Sequence, residues 1–299
     1  MYKLVCYIVL LYGLFPLLAE GAEQAEKPAL ANKPKIIVTI KPLALIAKSA
    51  VGERAEVEFL QPAGQPAHDL RLTFSQRNKL SRADLVIWVG EGMEARIGKA
   101  IQSLDKSKVI EAMALPMNWP QTGEHQIHEE DGHKHLEFDP HFWLNPNNAE
   151  LLAQEVRQRL GLMPLAGEAS LLVSKEELSR ITAELQLFKS RHYIVHHDAY
   201  RHFAMAFNLS QGKAVRSASG LAHGVKGAYQ LRTESEHAAC IFVEPQYSEK
   251  EVLTLAQALN IQTVTLDPQG IDIPLDKNAY PAFMRQFVAQ YKRCFSAAQ

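Results

Sequence analysis

Five histidines lie among acidic residues in "EHQIHEEDGHKHLEFDPHFW" (124–143): His125, His128, His133, His135 and His141. Neutral imidazole is a common ligand for zinc and its transition-metal neighbours, so a stretch of this composition is suited to holding a divalent cation. The five differ in setting. His125, His128, His133 and His135 fall in a polar, glycine-containing run, read as a His-rich loop over 121–137, whereas His141 sits in the compact "DPHFW". Two more histidines share that kind of setting, His68 in "PAHDL" and His197 in "VHHDAY". Each of the three falls at a strand end or in a loop following a strand, where α/β proteins place their ligands. One such histidine alone reads as a surface or hydrogen-bonded residue. Together they point to a shared site, because three protein nitrogens and one open position make a zinc arrangement. Acidic neighbours such as Asp69 and Asp198 can orient a ligating ring from behind, or can simply cap helices. A zinc hydrolase would use the same set, but the chain has no His-Glu-x-x-His helix and no obvious base beside the three histidines.

The pattern of apolar residues gives the elements that must position these groups. "IIVTI", "AEVEFL", "DLVIWVG" and "KVIEA" read as strands. They alternate with helical runs: "PLALIAKSAVG", with Pro42 near its start and Gly52 near its end, then "FSQRNKLSRA" and "EARIGKAIQSL". Strand–helix alternation predicts a parallel α/β lobe over 36–163. A second α/β lobe over 191–299 is predicted from "HYIVHHD", "CIFVEP", "EKEVLTLAQALN" and "TVTLD". Between them, Leu171, Leu178, Ile181, Leu185 and Phe188 keep to a helical stripe, which predicts one long linking helix within 164–190.

The opening "MYKLVCYIVLLYGLFPLLAEGAEQ" has one lysine, an apolar run and a small-residue stretch, the layout of a signal peptide ending near residue 21. Its apolar core is short for a membrane span and is broken by Gly13 and Pro16. Residues 22–35 read as a polar, flexible lead-in. Export leaves Cys240 and Cys294 as an even pair in an oxidising compartment, so one disulfide is expected. Closing that loop contributes ~3–4 kcal/mol on the chain-entropy account. With 32 Lys and Arg against 33 Asp and Glu, no global field draws nucleic acid or a membrane surface.

At these motifs the chain resembles a known family. "GQPAHDLRLTFSQRNKLSRADLVIWVGEGME", "FDPHFWLNP", "IVHHDAYRHFAMAFNL", "FVEPQYS" and "TLDPQG" are similar, in order and over nearly the whole mature chain, to the ZnuA-type periplasmic zinc-binding proteins of zinc ABC importers. The resemblance implies two α/β lobes joined by a rigid linking helix, with Zn²⁺ held in the cleft and delivered to a membrane permease. It assigns His68 and His141 from the first lobe and His197 from the second, with Asp267 of "TLDPQG" or a water in the fourth position. It also fits the Cys240–Cys294 pair and a shortened auxiliary loop bearing His125, His128, His133 and His135. Manganese-binding relatives tend to carry Glu where this chain has His197, and nitrogen there favours zinc over the harder ion. Leu70 departs from the Tyr usual in similar proteins. A monomer without enzymatic activity is expected; the alternatives are a periplasmic zinc buffer and, less favoured, a hydrolase with a water on the three histidines.

Further residues have plainer readings. His196 should point to the opposite face of its strand from His197. His202 is an extra histidine near the third ligand, while His223 and His237 read as surface residues. Trp88, Trp119 and Trp143 read as packing residues, with Trp143 two positions from His141 and so beside the site.

Overall fold

Four short runs rich in Val and Ile pair side by side to make each half of the molecule, a computed structural model that describes residues 33–122, 138–162, 171–221, 237–247 and 250–296, and 231, 233 and 235 singly. The expected signal peptide, most of the lead-in, the histidines 125, 128, 133 and 135, residues 163–170 and His223 lie outside the described residues.

The first lobe runs β1 (Lys35–Val38), α1 (Lys41–Val51), β2 (Glu56–Phe59), α2 (Phe74–Ser81), β3 (Leu85–Trp88), α3 (Glu91–Glu94), α4 (Gly98–Gln102), β4 (Val109–Glu111) and α5 (Pro146–Arg159). Its strands form one parallel sheet in the order β2-β1-β3-β4. After α6 (Lys175–Gln186), the second lobe runs β5 (Ile194–His197), α7 (Arg201–Phe207), β6 (Lys213–Arg216), β7 (Cys240–Val243), α8 (Lys250–Leu259), β8 (Gln262–Thr265) and α9 (Ala279–Ser296). Its sheet is also parallel, in the matching order β6-β5-β7-β8. The expected two-lobe α/β architecture is therefore present, and in each sheet the parallel strands bring their carboxyl ends to one edge, where such sheets place ligands.

Local chemistry accounts for most boundaries. α1 opens on Pro42 and stops at Gly52, whose φ of 57° suits only a residue without a Cβ. α2 starts at a capping box: Thr73 accepts from the Gln76 N–H while the Gln76 side chain receives the Thr73 N–H. The helix expected over "EARIGKAIQSL" is broken into a 3₁₀ turn at Ala95–Ile97 and the short α4. Glu94 leaves helical geometry there (φ −121°, ψ 41°), and its carboxylate turns back to accept the Val89 N–H at 2.7 Å.

The linking helix needs a larger correction. Within 171–190 the helix covers only Lys175–Gln186, because the Ser174 side chain caps it by accepting the Glu177 N–H. Leu171 lies before that cap. Phe188 lies beyond the helix and stacks on Phe295 at 5.1 Å. The longest described helix is α9, absent from the sequence-based expectation, as was β6. At 18 residues α9 is about 27 Å long. It touches α1 near its start and β7 and β8 further along. Its first turn and the segment leading into it are fastened to the first lobe. Tyr280 N–H donates to Ser49 Oγ, Tyr280 Oη to the Trp143 carbonyl, and Lys41 Nζ to the Ile271 carbonyl.

One apolar cluster continues from Ile36 and Leu45 of the first lobe through Trp143 and Tyr200 to Phe287 and Phe295 of the second. Only the outer face of the second sheet, with Ile194, Val215, Ile241 and Val252, forms a separate cluster. The lobes thus share a core rather than meeting across a wet interface. A disulfide joins Cys240 at the start of β7 to Cys294 near the end of α9, with Cα atoms 5.6 Å apart.

Candidate metal centre

Three different local structures present the three histidines. His68 sits in the 3₁₀ turn Ala67–Asp69, secured by Gln65 Nε2 donating to the Asp69 carbonyl. His141 precedes the 3₁₀ turn Phe142–Leu144. His197 ends β5, a strand buried on both faces. One ligand atom from each of His68, His141 and His197 lies within 4.8 Å of the other two, and among the described residues this is the metal-capable cluster.

The hydrogen bonds fix which nitrogens point inward. His141 Nδ1 lies 2.6 Å from Asp139 Oδ1, which also accepts the His141 N–H at 2.9 Å. His197 Nδ1 lies 2.6 Å from Glu244 Oε1. Carboxylates only accept, so both rings carry their proton on Nδ1 and turn an Nε2 lone pair into the cleft. Those two Nε2 atoms are 3.2 Å apart. With neither a proton nor a cation between them, two lone pairs would oppose each other. Nitrogens bound 2.0–2.1 Å from a tetrahedral zinc ion lie about 3.3 Å apart, so the spacing fits one edge of such a shell. Nε2 of His68 is buried and has no partner among the described residues, as a third inward nitrogen would be.

Electrostatics favour neutral donors at two positions. Burial, then the neighbouring imidazoles of His141 and His197, press His68 well below the ordinary imidazole value. Burial also lowers His141 overall, against the pull of Asp139. For His197 burial acts downward too, but the charge and hydrogen bond of Glu244 outweigh it, and the net shift is upward. Burial pushes Asp139 up, yet the imidazoles of His141 and His202 and the bonds from His141 hold its carboxyl at about 2. Asp139 is therefore a fixed negative charge behind His141.

The walls are aromatic. Trp143 packs edge-on to His141 at 5.2 Å and donates its indole N–H to the Pro268 carbonyl at 2.7 Å. Tyr247 packs on His197 at 5.3 Å and on the buried His196 at 4.7 Å. Gly220, at φ 79°, lies over them. A Cβ there would stand 3.1 Å from Tyr247 Oη and 4.0 Å from His68 Cδ2, so the 217–221 loop passes directly above the site.

Asp267 is not among the ligand atoms brought together. Its Oδ1 accepts Gln246 Nε2 and the Gln269 N–H, and its Oδ2 accepts the Ile271 N–H. The carboxylate organises the "DPQG" turn, with Gly270 at φ 63°, instead of reaching the histidines. Asp69 and Asp198 are not the orienting acids either: Asp69 pairs with Arg96 and Asp198 with Arg201. Those roles fall to Asp139 and Glu244. Glu244 went unassigned in the sequence, although an acid directly after a strand, in "FVEP", was the available signal. Its Oε1 also accepts the Tyr200 hydroxyl at 2.9 Å. Trp88 and His196 are buried and His237 is exposed, while Trp119 packs against Phe142 and His202.

Comparison with known proteins points the same way. Residues 36–294 match the sequence profile of the ZnuA family, described as "Zinc-uptake complex component A periplasmic". The chain is 32% identical over 287 residues to the high-affinity zinc uptake system protein ZnuA of Yersinia pestis, covering 87% of this chain and 90% of that protein. It is 28% identical over 288 residues to the protein of the same name in Haemophilus ducreyi, covering 87% and 93%. Among solved structures, a crystal structure of ZnuA superposes with a TM-score of 0.66 at 21% identity, over 86% of this chain and 98% of that one. The periplasmic zinc-binding protein TroA of Treponema pallidum gives 0.66 at 19% identity, over 86% and 99%. At these identities the structural likeness establishes the shared fold.

Proposed function

Because the chain belongs to the ZnuA family of periplasmic zinc-uptake components, we propose that it captures Zn²⁺ between its lobes and delivers it to the membrane permease of an ABC transporter. The observation that carries this reading is the convergence of three imidazoles, of which the buried His141 and His197 have Nδ1–H groups committed to carboxylates and Nε2 atoms 3.2 Å apart. In this reading Nε2 of His68, His141 and His197 hold the cargo and water takes the fourth position, since Asp267 serves its own turn. An all-nitrogen set suits zinc better than magnesium, calcium or manganese.

The bound ion is cargo and undergoes no reaction. Among the described residues, the two acids bonded to the site, Asp139 and Glu244, lie behind the imidazole rings, each on an Nδ1. The protein acts as a monomer in the periplasm after removal of residues 1–21. Residues 125, 128, 133 and 135 of the His-rich, acidic stretch supply a second, weaker zinc site. Capture and hand-over separate from simple buffering by radiozinc uptake in cells lacking the protein. Uptake from zinc-depleted medium should collapse and return with the wild-type chain. Undiminished uptake would leave a buffer as the surviving function.

A further inference from the structure

The motif "HHDAYRHF" contains a histidine that the site does not use as a ligand. His202 is fully buried at the start of α7, in the second lobe, yet both its ring nitrogens bond to the first lobe. Nε2 lies 2.9 Å from the backbone carbonyl of Asp139, and Nδ1 lies 3.1 Å from Nδ2 of Asn148 on α5. A carbonyl only accepts, so Nε2 carries the proton and Nδ1 receives the Asn148 amide. The neighbouring Arg201 adds its backbone N–H to Asp139 Oδ2 at 3.1 Å. Trp119 closes over the ring edge-on at 5.5 Å. The start of α7 therefore grips Asp139 at two atoms, its carbonyl and its carboxylate, while Asp139 Oδ1 holds the His141 ring.

We propose that His202 is a positioning residue for metal binding: it ties the second lobe to Asp139 and so sets the aim of His141 Nε2 toward His197. Both nitrogens of the 3.2 Å pair then depend on the same piece of chain, since His197 lies four residues before Arg201. A ring that merely filled space would need neither of its two polar bonds. The assignment rests on the reading of His68, His141 and His197 as the zinc site.

The test uses the full mature chain in four forms: wild type, His202→Leu, His202→Gln and the triple change of His68, His141 and His197 to Ala. Zinc affinity is read by competition with a chromophoric chelator, and coordination geometry by the visible absorption of the Co²⁺-loaded protein. Melting of the metal-free protein is followed alongside. His202→Leu should weaken zinc about ten- to a hundredfold, the usual cost of losing an outer-shell partner, and should alter the Co²⁺ bands. His202→Gln, which can still donate to the Asp139 carbonyl, should recover most of the affinity and the wild-type spectrum. If His202→Leu does not fold, Asn148→Leu, which frees Nδ1 and lets the ring turn, should show the altered bands in its place. Wild-type affinity and spectrum in a folded leucine variant would overturn the proposal. So would a glutamine variant no better than leucine at either readout. Tight binding surviving in the triple variant would instead overturn the site assignment on which the proposal stands.

Discussion

The two lobes have one topology and two chemistries. Each sheet is four parallel strands in matching order, β2-β1-β3-β4 and β6-β5-β7-β8, so the crossover directions reverse between β1 and β3 and between β5 and β7. Such reversals open a crevice at the carboxyl ends of the strands. In the second lobe the crevice holds His197 at the end of β5 and Glu244 just after β7, bonded at 2.6 Å. In the first lobe the corresponding place holds Thr39 and Glu94, and no histidine. Burial there pushes the Glu94 carboxyl up to about 7, partly offset by the hydrogen bond from the Val89 N–H. The first lobe presents its two histidines from 3₁₀ turns outside the sheet. The same fold position thus carries a histidine–carboxylate pair in one lobe and a buried carboxyl of raised pKa in the other. The histidine beside Glu244 decides which.

That contrast can be broken at several points. The largest effect concerns the second lobe alone, which has the disulfide. Replacing Cys240 and Cys294 by Ser should lower unfolding free energy by about 3–4 kcal/mol in urea titrations, while zinc affinity of the folded protein stays unchanged. Next comes Glu94→Gln. A carboxyl whose folded value lies above its unfolded one weakens the fold as pH rises from its unfolded value of 4.5 towards the folded value of about 7. Glutamine does not titrate, so the variant should gain about 3 kcal/mol on wild type between pH 4.5 and 8 in paired urea titrations, a difference absent if Glu94 ionises normally.

Smaller effects are expected behind the ligands. Glu244→Gln should weaken zinc about tenfold in chelator competition. Asp139→Asn should approach a hundredfold, because Asp139 also receives the Arg201 N–H, which an amide NH₂ would face. Equal losses would show that the lobes hold their ligands alike. The smallest effect is in pH. A proton competes with zinc for His197 Nε2, and Glu244, outweighing burial, raises the pH at which that competition begins. Zinc affinity should fall by up to about tenfold per pH unit below that point, and Glu244→Gln should move the onset to lower pH.

Much of this was legible because it was local. β-branched runs gave seven of the eight described strands, Pro42 and Gly52 bracketed α1, and the His-Asp pair of "VHHDAY" marked the proposed ligand at the end of β5. What escaped depends on partners distant in sequence. Glu244 reaches His197 across 47 positions, and no spacing rule connects them. Asp267 had the right type and motif to be a ligand, but its orientation is set by Gln246 and the backbone of 269–271. The linking helix was read too long because a periodic stripe does not reveal a serine cap inside it. β6, "KAVR", carries a charge at each end and offers too little apolar pattern to be recognised. His202 was visible as an unexplained histidine; only the fold gives it Asp139 and Asn148 as partners.

The most direct test of the central claim is calorimetric zinc titration of the mature protein beside the variant with His68, His141 and His197 all changed to Ala. The geometry predicts one tight site that disappears in the variant while a weaker phase, from the histidines at 125, 128, 133 and 135, remains. Tight binding that survives the triple change would contradict the account and move the main site to that loop.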